Sequence, residues 1–171
     1  GKTYEDLRLL LRGNLEQEGR MRHERDREQE IIERIIELTK FGEIPKILID
    51  AEISKMEAEL KDDVLSRGMQ WEQYLESISR TVEELSTEFM PHAEKRVKGA
   101  LILRTLATEL GIEISDREIA QEIEQQREAY AGNEEALAHL QVEEYKQYLR
   151  ITMTNRKVMD ELVKRLSVPV A

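Results

Sequence analysis

The sequence predicts an elongated all-α fold, a multi-helix body with helical arms, on three observations. Apolar residues recur at helical spacing over most of the chain, and no sustained alternation or Asn-Gly turn indicates a strand. Charged residues make up 36% beside 40% hydrophobic residues, which is typical of long helices with wide solvated faces. The few glycines and prolines lie between helical runs and leave about six helices.

The first helix is predicted from Thr3 to Lys40, a length of about 55 Å at 1.5 Å per residue. Both of its ends are apolar, whereas between Glu16 and Glu30 only Met21 is apolar. The apolar residues of the ends are Leu7, Leu10, Leu11, Leu15, Ile31, Ile32, Ile35, Ile36 and Leu38. Because a segment that is polar all round bridges solvent, we expect an arm with two buried ends and an exposed middle.

The next two helices are delimited by glycine and proline. Phe41-Gly42 suits the end of the first helix, and Pro45 suits the first turn of a second helix that reaches about Arg67. Gly68 closes the second helix, and a short third helix is expected around Trp71 to Ile78.

A capping-box pattern at Thr81 and Glu84 predicts the start of a fourth helix. Pro91 lies inside this run and is expected to kink or interrupt it. The segment from Val97 to Leu110 is the most apolar of the chain, so we expect it to be a buried central helix that ends at Gly111.

The remaining helices follow a second capping box at Ser115–Glu118. The helix behind it breaks at residues 131–133, and a short piece from Glu134 to Leu140 leads into a last long helix from Val142 to Leu166. Ser167 to Ala171 are expected to form a frayed or truncated tail.

Charge and composition argue against several classes of partner. The net charge of -10 argues against a nucleic-acid surface spread over the chain, and the basic cluster at Lys95, Arg96 and Lys98 favours solvated charges over an anion site. No run approaches the roughly 18 apolar residues that span a bilayer, and Gly1–Tyr4 is not a signal peptide. With no cysteine, disulfides and thiolate sites are excluded. We therefore expect no nucleic acid and no membrane as partner, and the absence of cysteine is compatible with a cytoplasmic location.

No residue pattern predicts chemistry. His23, His92 and His139 belong to no HExxH motif, and adjacent carboxylates such as Glu83-Glu84 do not face each other on a helix. Phosphate-binding glycine loops and the GxSxG elbow are missing from the sequence. We expect no catalytic residue, no metal site and no cofactor.

Three blocks of sequence resemble parts of a known family. They are Ile44–Met56, Ala93–Lys98 running into Leu101–Leu103, and Gly111-Ile112 followed by Ser115, Glu118 and Ile119. These blocks resemble the C-terminal domain of trigger factor, a ribosome-associated bacterial chaperone. The order and separations of the blocks also match, over roughly Tyr4 to Leu166. The Ser115 block alone is shared with parvulin-linked periplasmic chaperones, whereas the Ile44 block favours trigger factor.

The resemblance implies a fold similar to the trigger factor C-terminal and SurA peptide-binding-domain-like class, with residues 1–171 forming one domain of a longer protein. It implies ATP-independent binding of unfolded or nascent polypeptides, which aids folding and export. In that family the ribosome-binding and FKBP-type prolyl isomerase activities belong to other domains. We therefore expect no isomerase activity in this chain and ribosome contact only through an N-terminal domain that the chain lacks, and we leave a weak dimer open.

Client contact is expected from apolar residues near helix ends and arm tips, because methionine and aromatic side chains suit surfaces that accept varied partners. The candidates are Met56, Met69, Trp71, Phe89, Met90, Tyr130, Leu137, Leu140, Tyr148 and Met153. The alternative for each is a place in the core. The alternative function is a helical scaffold or adaptor with one defined partner, which sustained heptads would favour and the polar stretch from Glu16 to Glu30 argues against.

Overall fold

The computed structural model describes residues 4–166, and in that range the chain forms seven helices and no strand. The helices are α1 (Tyr4–Leu38), α2 (Lys46–Ser66), α3 (Trp71–Ile78), α4 (Val82–Glu109), α5 (Asp116–Ala129), α6 (Glu134–His139) and α7 (Glu143–Leu166). The predicted all-α class is confirmed. The predicted start at Thr3 and the predicted tail from Ser167 to Ala171 lie outside the described residues.

Both predicted capping boxes are present. The Glu84 backbone N–H donates to the Thr81 hydroxyl at 3.2 Å, and the Glu84 carboxylate accepts from the Thr81 N–H at 2.9 Å. The same pair of bonds joins Ser115 and Glu118 at the start of α5, at 3.4 and 2.9 Å. Each box satisfies two backbone donors that the helix itself leaves without partners, which is why the start of a helix can be predicted locally.

Pro91 lies inside the continuous helix α4, so the expected interruption is wrong. Proline removes one helical hydrogen bond and costs about 3 kcal/mol in a helix interior. Buried side chains on both sides of it, among them Leu85, Ala93 and Val97, hold the segment in place. The tertiary packing of α4 thus outweighs the local preference to end at Pro91.

The chain divides into two compact units. One unit contains the residues up to Arg34 together with those from Leu103 onward, and the other contains Ile35–Ile102. Among the described residues, no helix is both long enough and apolar enough to cross a membrane.

The core of the first unit joins α5, α6 and α7. Its buried residues are Ile114, Ile119, Ile123, Leu140 and Leu149. Two side chains of α7 bind the start of α5. Arg150 donates to the Ile114 carbonyl and forms an ion pair with Asp116 at 2.6 Å. Lys157 forms an ion pair with Glu118 at 2.5 Å.

The second unit packs α2 against α4. Ile53 and Val64 of α2 are buried, as are Leu85, Ala93 and Val97 of α4. Arg96 of α4 bridges two carboxylates of α2, Glu52 at 3.2 Å and Glu59 at 2.8 Å. The hydrogen bond to Glu59 is the main reason why the pKa of Arg96 is raised, and the same bond lowers the pKa of Glu59.

The predicted burial of both ends of α1 is wrong. No described residue of α1 is buried, and Leu7, Leu10, Leu11 and Leu15 are 49–67% exposed. At the other end Ile31 to Ile36 are at most half-buried. The expected exposed middle is present, since residues 16–26 are all exposed. Helical spacing shows that a face is apolar, but burial also requires a second surface, and among the described residues none covers Leu7, Leu11 and Leu15.

Candidate interaction surfaces

Exposed apolar side chains gather on three surfaces, each within one compact unit. The first, the α1 stripe, consists of Tyr4, Leu7, Leu11 and Leu15. Their spacing of three, four and four residues places them on one face of the helix. Arg8 and Arg12 lie beside them and, with the stripe, line a shallow depression of about 260 Å³. The stripe is therefore an apolar contact face with a basic margin.

The second surface, the α3 surface, consists of Leu65, Met69, Trp71 and Tyr74. Leu65 and Met69 are exposed, whereas Trp71 and Tyr74 are half-buried, with their rings stacked 5.8 Å apart. No residue of α3 is fully buried, although one face of this helix is apolar. The α3 surface thus combines the exposed side chains of Leu65 and Met69 with two partly exposed aromatic rings.

A turn that requires glycine positions the α3 surface. Gly68 has a φ of 78°, in the left-handed region that other residues rarely adopt. The Gly68 N–H donates to the Leu65 carbonyl at 2.9 Å, and the Met69 N–H donates to the Val64 carbonyl at 3.2 Å. This pair of bonds is the Schellman motif that ends α2 and sends the chain into α3. Met69 is therefore held by its backbone, and its side chain is free to serve as a contact.

The third surface, the tyrosine cluster, consists of Tyr130, Tyr145 and Tyr148 with His139. Tyr145 is half-buried, and its hydroxyl donates to the Gln126 side chain. The His139 ring meets Tyr145 edge-on at 5.2 Å, and the Tyr148 ring lies 6.1 Å from Tyr145. Burial raises the pKa of Tyr145, with Tyr130 and Tyr148 close enough to add to the effect. Three of the five tyrosines of the chain therefore meet at one place.

The structure places the ten predicted contact residues in three environments: exposed, half-buried and, for Leu140, buried. Met69, Met90, Tyr130 and Tyr148 are exposed, and Met56, Trp71, Phe89, Leu137 and Met153 are half-buried. Leu137 and Met153 pack against the core of the first unit. Met69 and Trp71 belong to the α3 surface, and Tyr130 and Tyr148 belong to the tyrosine cluster around Tyr145.

Leu140 is a core residue, and its expected role as a contact is corrected. Only 3% of its surface is exposed, and it packs with Ile114 and Leu149. It follows directly after α6, which has six residues and is too short for an apolar period to show which side faces the core.

Sequence reasoning missed several exposed apolar residues. Leu7, Leu11 and Leu15 were recognised as one apolar face and assigned to the interior, whereas they form the α1 stripe. Tyr145 and Leu65 also lie on the surfaces described above and were not predicted. Helical spacing was the signal that the sequence offered for these residues. This spacing is the same whether an apolar face packs against another element or stays exposed.

These surfaces are suited to contact rather than to chemistry. Within residues 4–166, no three His, Asp or Glu side chains converge in a way that could hold a metal ion. The pKa of Glu118 is lowered to about 2 by its hydrogen bonds with Lys157 and Ser115, which secure the start of α5. Apolar side chains and ring faces thus form the candidate site.

The comparison with protein families supports the resemblance. The family model described as the bacterial trigger factor protein (TF) C-terminus matches residues 3–164 of the chain. No solved structure matches the chain.

Three similar curated proteins carry the name trigger factor. That of Halothermothrix orenii is 32% identical over 163 residues, which covers 95% of this chain and 38% of the relative. That of Clostridioides difficile is 29% identical over 166 residues, covering 97% of this chain and 39% of the relative. That of Pelotomaculum thermopropionicum is 30% identical over 135 residues, covering 79% and 31%.

The chain thus spans under two-fifths of the length of these relatives, while the family match extends over nearly all of the chain itself. The helical fold, the exposed apolar surfaces and the similarity agree with one another. The chain belongs to the family of bacterial trigger factor C-termini.

Proposed function

We infer that this chain is the client-binding domain of a cytoplasmic chaperone, and that it holds unfolded or nascent polypeptides without ATP and without a cofactor. The observation that carries this proposal is the set of three exposed apolar surfaces on a chain with a net charge of -10. Exposed apolar patches mark interaction sites, and family membership supports a polypeptide as the ligand.

The proposed mechanism is the sum of many weak contacts. Burying a whole leucine or methionine side chain contributes about 1.5–3 kcal/mol, and a side chain that is already half-buried contributes less. Apolar burial has no preferred direction, so such contacts accept many client sequences. The flexible Met69 side chain and the ring faces of Trp71 and Tyr148 add adaptable contact area.

The contact set proposed here keeps nine of the ten predicted residues and leaves out Leu140. The fully available members are Met69, Met90, Tyr130 and Tyr148, which are exposed. The other five residues are half-buried, so only part of each side chain is available for contact. They are Met56, Trp71, Phe89, Leu137 and Met153. The α1 stripe joins the set, because its leucines are 49–67% exposed, a range that overlaps the 41–57% of the four exposed predicted residues.

Other activities expected of a whole trigger factor are proposed to lie outside this chain. The matched stretch is a C-terminus by its description and covers 38% of the Halothermothrix orenii relative. We propose that ribosome contact and prolyl isomerase activity belong to the remaining length of such proteins. This chain would then be a binding module and not an enzyme.

Suppression of aggregation tests the proposal. The chain, added without nucleotide to an unrelated protein diluted from denaturant, should lower light scattering in proportion to its concentration. Replacing Leu7, Leu11 and Leu15 together with Ser should weaken the effect, because it removes most of the α1 stripe. Leu9→Ser is the matched control, since Leu9 is 67% exposed on the other side of the same helix. No suppression by the unaltered chain would refute the holding function.

A scaffold with one defined partner is the second candidate, and the α1 stripe is the observation that favours it. Leucines at helical spacing with flanking arginines also suit the docking of a single helix. Several unrelated unfolded proteins distinguish the two functions. A chaperone domain should suppress the aggregation of all of them, whereas a scaffold should suppress none and should bind one partner in a fixed ratio.

A further inference from the structure

We propose that Met69 and Met90 are sites of reversible oxidation by peroxide, and that their conversion to the sulfoxide weakens client binding without unfolding the chain. The proposal rests on the proposed function and adds a form of regulation to it. It concerns two methionines that are exposed, unlike the methionines that lie near the core.

The six methionines fall into distinct environments. Met21, Met69 and Met90 are 50%, 41% and 48% exposed, whereas Met159 is 9% exposed. Met56 and Met153 are half-buried, and Met153 packs against the core of the first unit. Oxidation requires peroxide to reach the sulfur, so the three exposed residues should react first. With no cysteine in the chain, methionine is the only sulfur side chain that can react.

The step is balanced with a hydroperoxide as the oxidant. A lone pair of the thioether sulfur attacks one oxygen of hydrogen peroxide, the O–O bond breaks and an S–O bond forms. The other oxygen leaves as hydroxide and becomes water by taking up a proton, while the sulfur-bound hydroxyl gives up its proton to leave the sulfoxide. The methionine sulfur is oxidised by two electrons, the peroxide is reduced by two, and sulfoxide reductases reverse the change.

The consequence for binding follows from where the two residues lie. Met69 is exposed on the α3 surface and lies two residues before Trp71, whose ring stacks on that of Tyr74. A sulfoxide is polar and accepts hydrogen bonds from water, so it opposes burial against an apolar client. Met90 lies on the exposed side of α4, next to the half-buried Phe89. Oxidation thus replaces apolar contact area by polar area at two proposed contacts.

Oxidation of Met69 should change the fold little, because its side chain does not hold the segment in place. The position of Met69 is set by its backbone bond to Val64 and by Gly68, not by its side chain. Met159 lies in the buried row of α7 beside Val158, where oxidation would disrupt packing, and its burial protects it. The exposed methionines therefore change the surface while the core remains intact.

The test treats the full chain with dilute hydrogen peroxide and measures three quantities on the same samples. Peptide mass spectrometry should find Met69 and Met90 oxidised well before Met159. Circular dichroism should show unchanged helicity. The affinity for a permanently unfolded, carboxymethylated client should fall about three- to tenfold, which is the scale expected for the loss of two apolar side-chain contacts. Methionine sulfoxide reductase should restore it.

Matched variants locate the effect. The double variant Met69→Leu and Met90→Leu keeps apolar volume but cannot form a sulfoxide, so its affinity should resist peroxide. Met21→Leu should remain as sensitive as the unaltered chain, since Met21 lies in the polar stretch of α1.

The outcomes separate this proposal from the proposed function. If peroxide leaves client binding unchanged, the oxidation switch alone is overturned. The same holds if peroxide weakens binding by the double leucine variant as much as binding by the unaltered chain. Loss of helicity together with loss of binding overturns it as well, because the change would then be damage to the core. If the untreated chain binds no client, the proposed function and the switch both fall.

Discussion

At the scale of single residues, Met69 and Met159 show how position decides the role of one residue type. Both are methionines in or beside a helical apolar pattern. Met159 is buried on α7 next to Val158, whereas Met69 follows the glycine turn that ends α2 and is exposed. The thioether suits both a core gap and an adaptable surface, and its neighbours determine which use is made of it.

Glu118 should make the stability of the first unit depend on pH. Its pKa is lowered from 4.5 to about 2, first by the hydrogen bond with Lys157 and then by the two bonds with Ser115. Because the folded pKa is below the unfolded value, the stabilisation is present above about pH 4.5 and is lost as the pH falls towards 2. Urea unfolding across this window should show stability falling with pH.

Two variants check the origin of that dependence. Glu118→Gln cannot lose a proton, so the fall in stability between pH 4.5 and about 2 should become shallower. Lys157→Met should reduce the same part of the dependence, because it removes the main cause of the shift. An unchanged pH profile in both variants would mean that Glu118 titrates alike in the folded and unfolded chain.

At the scale of the helices, α1 and α4 are both long, and their surroundings differ. α1 has 35 residues, none of them buried, whereas α4 has 28 residues with buried positions along its length, among them Leu85, Val97 and Ile102. Helical stability in proteins comes chiefly from packing of an apolar face rather than from intrinsic propensity. The two helices should therefore open with different free energies.

Hydrogen exchange should detect this difference. Amides from Glu18 to Glu28 of α1 should exchange faster than those from Leu101 to Leu106 of α4, because few apolar contacts oppose local opening of α1. Mass spectrometry of peptides after timed exchange resolves both segments in one sample. Equal protection of the two segments would indicate that α1 is covered by another copy or another part of the molecule.

At the scale of the whole molecule, client binding should depend on apolar contact more than on charge. Raising the salt from about 0.1 M to about 1 M shortens the screening length from roughly 10 Å to 3 Å and leaves apolar burial intact. Binding of an unfolded client should therefore persist at high salt. Replacing Met69, Met90 and Tyr148 together with Ser should weaken it several-fold, since all three side chains are exposed.

The control for that experiment replaces a residue of the same type that lies in the core. Met153→Ser should lower thermal stability more than the triple variant does, because Met153 packs against the core of the first unit. Binding that collapses in high salt and survives the triple replacement would instead favour an electrostatic, single-partner surface.

Local features of the fold were predictable where the cause is local. The capping boxes at Thr81 and Ser115 consist of residues three apart, so their side chains and backbone donors meet wherever the helix lies. The end of α2 at Gly68 is predictable for a similar reason. Pro91 was misjudged because the local cost was visible in the sequence, while the packing of Leu85 and Ala93 that offsets it was not.

The candidate site was predictable only in part. Methionine and tyrosine could be recognised as residues suited to contact, and four of the predicted residues are exposed. The meeting of Tyr130, Tyr145 and Tyr148 joins residues from the end of α5 and from α7, which no spacing along the chain indicates. Met69 and Trp71 are only two residues apart in the sequence, so it could be foreseen that they lie on the same surface.

The sequence by itself determined the all-α class, most helix ends and the family, because these depend on apolar period, on caps within one turn and on residue identity in order. Only the tertiary structure decided which apolar faces are covered. Leu11 and Leu140 are both leucines in helical surroundings, yet Leu11 is exposed and Leu140 is in the core. Burial is a property of two surfaces, and the spacing of residues on one helix describes only one of them.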